Sequence, residues 1–146
     1  TFSALKNTGQ FKEGIVMIDD RETCCFLYIV KNVLCADGYY LLPVKDSGDI
    51  QPDKVFMGYY DEKYIYLVPK RIVYCCNVAL EFNGLKPFNM KHILENLFAL
   101  DLIKVHWVLS KEVRYRPQKR VGKTKCRYIT LIRNRLNDFF KEEHNE

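Results

Sequence analysis

Two short runs rich in tyrosine and β-branched residues, Val55 to Tyr60 and Tyr64 to Val68, are separated only by Asp61-Glu62-Lys63 and closed by Pro69. Extended segments joined by so short a connection pair as an antiparallel hairpin. Pro69 ends the second strand because it has no N–H to donate, and for the same reason it suits the first turn of a helix. Ile72, Val73, Cys76, Val78, Ala79, Leu80 and Phe82 carry that helix to a stop at Asn83-Gly84.

The flanking chain follows the same logic. Residues 1 to 12 are polar and read as an arm or linker, and Gly14 to Ile18 is a short β-branched run ending in Asp19-Asp20. From Glu22 to Ala36 the apolar residues Cys25, Phe26, Ile29, Val30, Val33 and Leu34 recur at spacings of three and four, the helical period. Asp37-Gly38 is expected to end this helix, with Gly38 left-handed. Tyr39 to Val44 reads as a strand and Lys45 to Lys54 as a loop. Asn89 is placed to cap a third helix with Ile93, Leu94, Leu97, Phe98 and Leu100 on its apolar side. Leu102 to Leu109 and Cys126 to Ile132 read as strands, and residues 134 to 142 as a closing amphipathic helix.

With 146 residues, 48% of them hydrophobic, the chain can build one cored domain or two small ones sharing an interface. No apolar run approaches the roughly 18 residues of a membrane span. The chain opens on Thr1 without a secretory signal, and the missing initiator Met suggests a piece of a longer protein. Cys24-Cys25 and Cys75-Cys76 sit in apolar helical segments, and with Cys35 and Cys126 they form no CxxC. Buried free thiols and a reducing, cytoplasmic setting are therefore expected, without structural zinc.

Charge is unevenly placed. Residues 1 to 109 hold 12 Lys+Arg against 13 Asp+Glu, residues 110 to 136 hold 10 against 1, and residues 137 to 146 hold 1 against 4. A near-neutral body thus carries one strongly basic segment, and a polyanion is the natural partner for it. A solvated loop, or a hairpin docking on an acidic protein or on RNA, is the competing reading. Ten cations against one acid exceed what solvation requires.

Catalytic patterns are weak. Gly122-Lys123-Thr124 resembles the end of a phosphate-binding loop, but Pro117 stands where that motif needs its first glycine. His92, His106 and His144 make no metal pair, and no serine sits in a nucleophile elbow. Asp19, Asp20 and Glu22 could ligate a metal, but capping of the first helix explains them better. No cofactor and no metal are expected.

The order from Asn89 onward is helix, strand, basic connection, returning strand, which matches the closing half of a winged-helix domain. The wing would carry Lys111, Arg114, Arg116, Lys119, Arg120, Lys123, Lys125 and Arg127, with Tyr115 interleaved. Asn89, Lys91, His92, Glu95 and Asn96 are the candidates on the helix for reading base edges. Tyr59, Tyr60, Tyr64 and Tyr66 could form a stacking platform, but packing is the commoner use of alternating strand tyrosines.

Gly58-Tyr59-Tyr60-Asp61, then Tyr64-Ile65-Tyr66-Leu67-Val68-Pro69, followed by a helix pair and a basic hairpin, resembles the C-terminal region of mobile-element replication proteins of primase/helicase type. In these a domain of unknown function is joined to a P-loop ATPase. The similarity spans roughly residues 23 to 136 and lies in structural motifs. It implies an accessory, DNA-engaging or assembly domain, partnered by the ATPase/helicase domains of a longer parent chain. No Walker motif is present here, so ATPase activity does not carry over.

The expectation is an α+β protein, with an N-terminal α/β portion (1–68) packed on a winged-helix-like portion (69–146) that carries a basic β-hairpin. It would bind DNA without catalysis and without a membrane. A protein–protein adaptor and a stand-alone winged-helix regulator are the alternatives.

Overall fold

The computed structural model describes residues 21–45 and 51–144. The expected arm, the 14–18 run, the Asp19-Asp20 cap and the middle of the 45–54 loop lie outside the described residues. The elements in order are α1 (Arg21–Cys35), β1 (Tyr39–Pro43), β2 (Val55–Tyr60), β3 (Tyr64–Leu67), α2 (Pro69–Phe82), α3 (Met90–Ala99), β4 (His106–Val108), β5 (Glu112–Arg114), β6 (Gln118–Val121), β7 (Thr124–Arg127), β8 (Ile129–Ile132) and α4 (Arg133–His144). The fold is α+β. No helix among the described residues is long and apolar enough to cross a membrane.

A four-stranded mixed sheet, ordered β1-β2-β3-β8, forms the centre. The β2–β3 hairpin is antiparallel, and β8 returns antiparallel to β3, pairing Tyr64 with Ile132 and Leu67 with Ile129. The chain just after α3 adds to the far side of β8. Ile103 bridges Leu131, Lys104 N–H donates to the Thr130 carbonyl (2.8 Å), and Ile132 N–H donates to that of Leu102 (2.9 Å). Phe26, Leu27 and Val30 of α1, Ile72 of α2, Ile93 and Leu97 of α3, Leu67, Ile129 and Leu131 of the sheet and Leu136 of α4 are buried in one cluster. Pro69, the expected line between two portions, is the first residue of α2, directly after β3, and both sheet and core continue across it.

The ends of α1, α2 and α3 each have a readable geometry. Beyond α2, Asn83-Gly84 makes a Schellman turn: Gly84 is left-handed (φ 69°) and Leu85 N–H donates to the Leu80 carbonyl at 2.8 Å. Asp101 does the same after α3 (φ 61°), with Leu102 N–H on the Leu97 carbonyl. Gly38 does not take the left-handed conformation expected of it. Tyr39 N–H returns to the Ala36 carbonyl and the Gly38 carbonyl accepts from Val55, so the chain turns directly into the sheet.

Two expected strands are broken. Between 102 and 109 only Ile103 and β4 are paired, and with different partners, Ile103 with β8 and β4 with β5, into which Leu109 and Ser110 turn the chain with positive φ (52° and 57°). The 126–132 run divides at Tyr128, whose N–H donates to the Pro117 carbonyl (3.2 Å), since its halves have different partners: β7 pairs with β6 and β8 with β3.

The hairpin rests on two close fits. A Cβ at Gly58 (φ 151°) would lie 1.9 Å from the Tyr66 carbonyl oxygen. Gly58→Ala should therefore destabilise the protein by about 2–5 kcal/mol in chemical denaturation, through overpacking and strain together. At the turn, Asp61 accepts from Lys63 N–H (3.0 Å), Tyr64 N–H (2.8 Å) and the Tyr66 hydroxyl (2.7 Å). Burial works against its charge, but the Tyr66 hydroxyl and the two backbone donors outweigh this and hold its pKa below the ordinary value. A carboxylate more acidic folded than unfolded stabilises above its unfolded pKa, and the gain is lost as pH falls through the folded one. Stability measured against pH should accordingly drop on the acid side of about pH 4, and Asp61→Asn should flatten that limb.

Candidate nucleic-acid interface

The basic segment is not one wing but two antiparallel ribbons, β4–β5 and β6–β7. Pro117 lies between them, and with no N–H it cannot continue a ladder. The second ribbon closes through Gly122-Lys123, with Gly122 left-handed (φ 61°) as a two-residue hairpin turn requires. Gly122-Lys123-Thr124 is thus the tip of a ribbon and not a strand-to-helix phosphate loop.

Alternation sorts the cations of the second ribbon. Val121 is buried and Lys119 half-buried, its ammonium 5.4 Å from the centre of the Tyr66 ring. Tyr128 packs edge-on against Tyr59 and Tyr66 and fixes the ribbon's base to the sheet. Gln118, Arg120, Lys125 and Arg127 lie on the other, exposed face, where Gln118 is opposite Arg127 and Arg120 is directly opposite Lys125. Directly opposed side chains have their Cβ atoms about 4.5–5.5 Å apart, and like charges there destabilise a sheet. A ribbon selected for folding alone would place an acid in one of these positions.

The first ribbon and α3 make the adjoining surface. Lys111 occupies the β4–β5 turn, and Arg114 is exposed opposite His106. A cavity of about 600 Å³ opens between the starts of α2 and α3 and the β5–β6 connection. Its apolar floor includes Val73, Leu94, Val113 and Ile129, while Lys91, Arg114, Arg116 and Arg127 line it against a single acid, Glu112. The chain's only tryptophan, Trp107, is 51% exposed and edge-on to Phe98, which also meets Tyr115. Trp107 is not among the sequence-predicted site residues, since it falls within the expected strand 102–109. Its place beside the basic segment was the available signal.

On α3 the expected residues divide. Asn89 caps the helix, accepting from His92 N–H (3.3 Å), and its own N–H donates to the Glu22 carboxylate on α1 (3.4 Å). Asn96 donates to the Thr23 hydroxyl of α1 (3.1 Å) and lies 3.3 Å from the His92 ring nitrogen. Asn89, His92 and Asn96 therefore serve the α1–α3 junction, while Lys91 turns to the cavity. Arg135 and Asp101 form a surface pair (3.0 Å) away from these groups in the chain.

Other chemistry is thin. All six cysteines are free, and burial, with lesser contributions from Cys75 and Cys25, pushes the Cys76 thiol up to about 12. Among the described residues no three His, Cys, Asp or Glu side chains cluster as a metal site. Tyr66 is buried and Tyr59, Tyr60 and Tyr64 half-buried, so the hairpin tyrosines are packing residues. Gly58, Asp61, Tyr66 and Pro69 shape the hairpin and the start of α2. Comparison with protein-family models, curated proteins and solved structures gives no match.

Reversing one of the opposed charges tests whether their apposition costs stability. Lys125→Glu should raise stability by about 0.2–1 kcal/mol, because it replaces a cross-strand repulsion with an attraction. Urea titration of the variant beside the parent chain measures this, and a loss of stability would remove the argument from opposed charges.

Proposed function

We propose that the chain is a non-catalytic nucleic-acid-binding domain that grips DNA phosphates with the outer face of the β6–β7 ribbon and the adjoining cationic cavity. The observation that carries the reading is the unrelieved apposition of Arg120 and Lys125, with Arg127 beside them, on an exposed face. Phosphates bound there relieve the repulsion and release counterions, which gives affinity with steep salt dependence. Trp107 offers an exposed ring beside the same surface for a base or sugar.

The sheet order supports a winged-helix reading. β3, α2, α3, the Ile103 strand and β8 follow in sequence, and β8 lies between the other two strands, with α1 packed behind. On this reading β1 and β2 extend the sheet and the two ribbons are an enlarged wing. The resemblance of residues 23 to 136 to mobile-element replication proteins extends the proposal to an accessory domain acting beside an ATPase/helicase core in the cytoplasm. Few polar side chains of α3 remain for base edges, so binding is set mainly by the backbone and is weakly sequence-selective.

Anisotropy titration of duplex and single-stranded DNA at two salt concentrations tests this. Replacing Arg116, Arg120, Lys125 and Arg127 with alanine should lower affinity and reduce the log–log salt slope by about 3–4. The thermal midpoint should not fall, because exposed cations contribute little to stability. Absence of binding to any nucleic acid at low salt would refute the proposal.

A further inference from the structure

Among the described residues the outer face of α2 takes no part in the core or in the surface described above. Ile72, Cys76 and Leu80 point into the core, and on the opposite side Tyr74, Val78 and Phe82, at successive spacings of four, are 69%, 48% and 89% exposed. An apolar stripe of this kind on a helix otherwise amphipathic marks an interaction surface. The cavity lined by Lys91 and Arg116 meets α2 through Pro69 and Val73, on a different side of the helix.

The charges flanking the stripe are set against the helix dipole. Lys70 and Arg71 lie in the first turn, where cations are unfavourable, and Glu81 lies in the last, where an anion is unfavourable. Among the described residues none of the three forms an ion pair. A second α2 running antiparallel would reverse both penalties, because each basic start would meet an acidic end and the two dipoles would oppose.

The pattern is self-complementary in position as well as in sign. At 100° per residue, Tyr74 and Val78 lie along the middle of the exposed face, Lys70 and Glu81 along one flank, and Arg71 and Phe82 along the other. A twofold axis near position 76 keeps each flank on its own side. It sets Tyr74 against Val78 of the second copy, Lys70 against Glu81, and the Arg71 guanidinium against the Phe82 ring. All three pairings require the same register, so one symmetry operation satisfies the stripe and both flanks.

We propose that two copies of this chain associate through antiparallel, isologous packing of α2. A single helix pair is a small interface, at the low end of roughly 1,200 Å² or less, so the dimer is weak and concentration-dependent. The cationic ribbons stay uncovered, and the pairing needs no nucleic acid.

Sedimentation equilibrium of the full chain without nucleic acid, up to several hundred micromolar, is the test, that range being set by the size of the interface. A monomer–dimer equilibrium is expected, with Val78→Glu monomeric throughout. Glu81→Lys should weaken association at least about tenfold, and adding Lys70→Glu should restore most of it, as charge reversal across one contact predicts. Circular dichroism confirms that each variant is folded. A chain monomeric over the whole range, or a dimer indifferent to Val78→Glu, overturns the proposal, and so does failure of the paired reversal to rescue. The DNA titration described above is read independently of all these outcomes.

Discussion

The pairing of β3 with β8 is the constraint on which the rest of the molecule depends. It joins Tyr64–Leu67 to a strand more than sixty residues later and encloses α2, α3 and both basic ribbons between its halves. The loop-closure entropy of so distant a contact is offset by Leu67, Ile129 and Leu131, all essentially inaccessible to solvent, packing against Phe26 of α1 and Leu97 of α3. β8 also lies beside Ile103, and Tyr128 just before it fixes the second ribbon against Tyr59 and Tyr66 of the hairpin.

The ribbons illustrate a division of labour within one charge run. Lys119 covers the Tyr66 ring, and Val121 and Tyr128 bind the second ribbon to the sheet, so folding uses the inward residues. Arg120, Lys125 and Arg127 are left outward, without an acid opposite them. Local conflict of this kind, tolerated on a surface that could easily avoid it, is the observation on which the proposed phosphate contact rests. On α3 the balance runs the other way, since Asn89, His92 and Asn96 are drawn into the junction with α1.

The hairpin motif has a similarly physical account. Gly58 admits the Tyr66 carbonyl, Asp61 gathers three donors, and Pro69 starts α2 where no N–H is required. These residues explain why the segment reads so clearly as a strand, turn, strand and helix start. The helix α2 that follows is unusual in being apolar on both sides, and among the described residues only the inner side is buried.

Local features were legible from the residues alone. The hairpin, the three long helical segments, the Asn89 cap, the Asn83-Gly84 stop and the concentration of charge after residue 110 all follow from spacing and from the special geometry of Gly, Pro and Asn. What partners a strand was not legible. The run from 126 to 132 is uniformly strand-like, yet its halves join different sheets, and the basic connection folds into two ribbons about Pro117. Nor could the sequence tell Lys119 from Arg120, because which of two adjacent cations faces a tyrosine depends on register against a distant strand. Charge composition is a property of the chain, but opposition of Arg120 and Lys125 exists only once the ladder has formed, and that is why the tertiary structure alone decided which cations stand together on one exposed face.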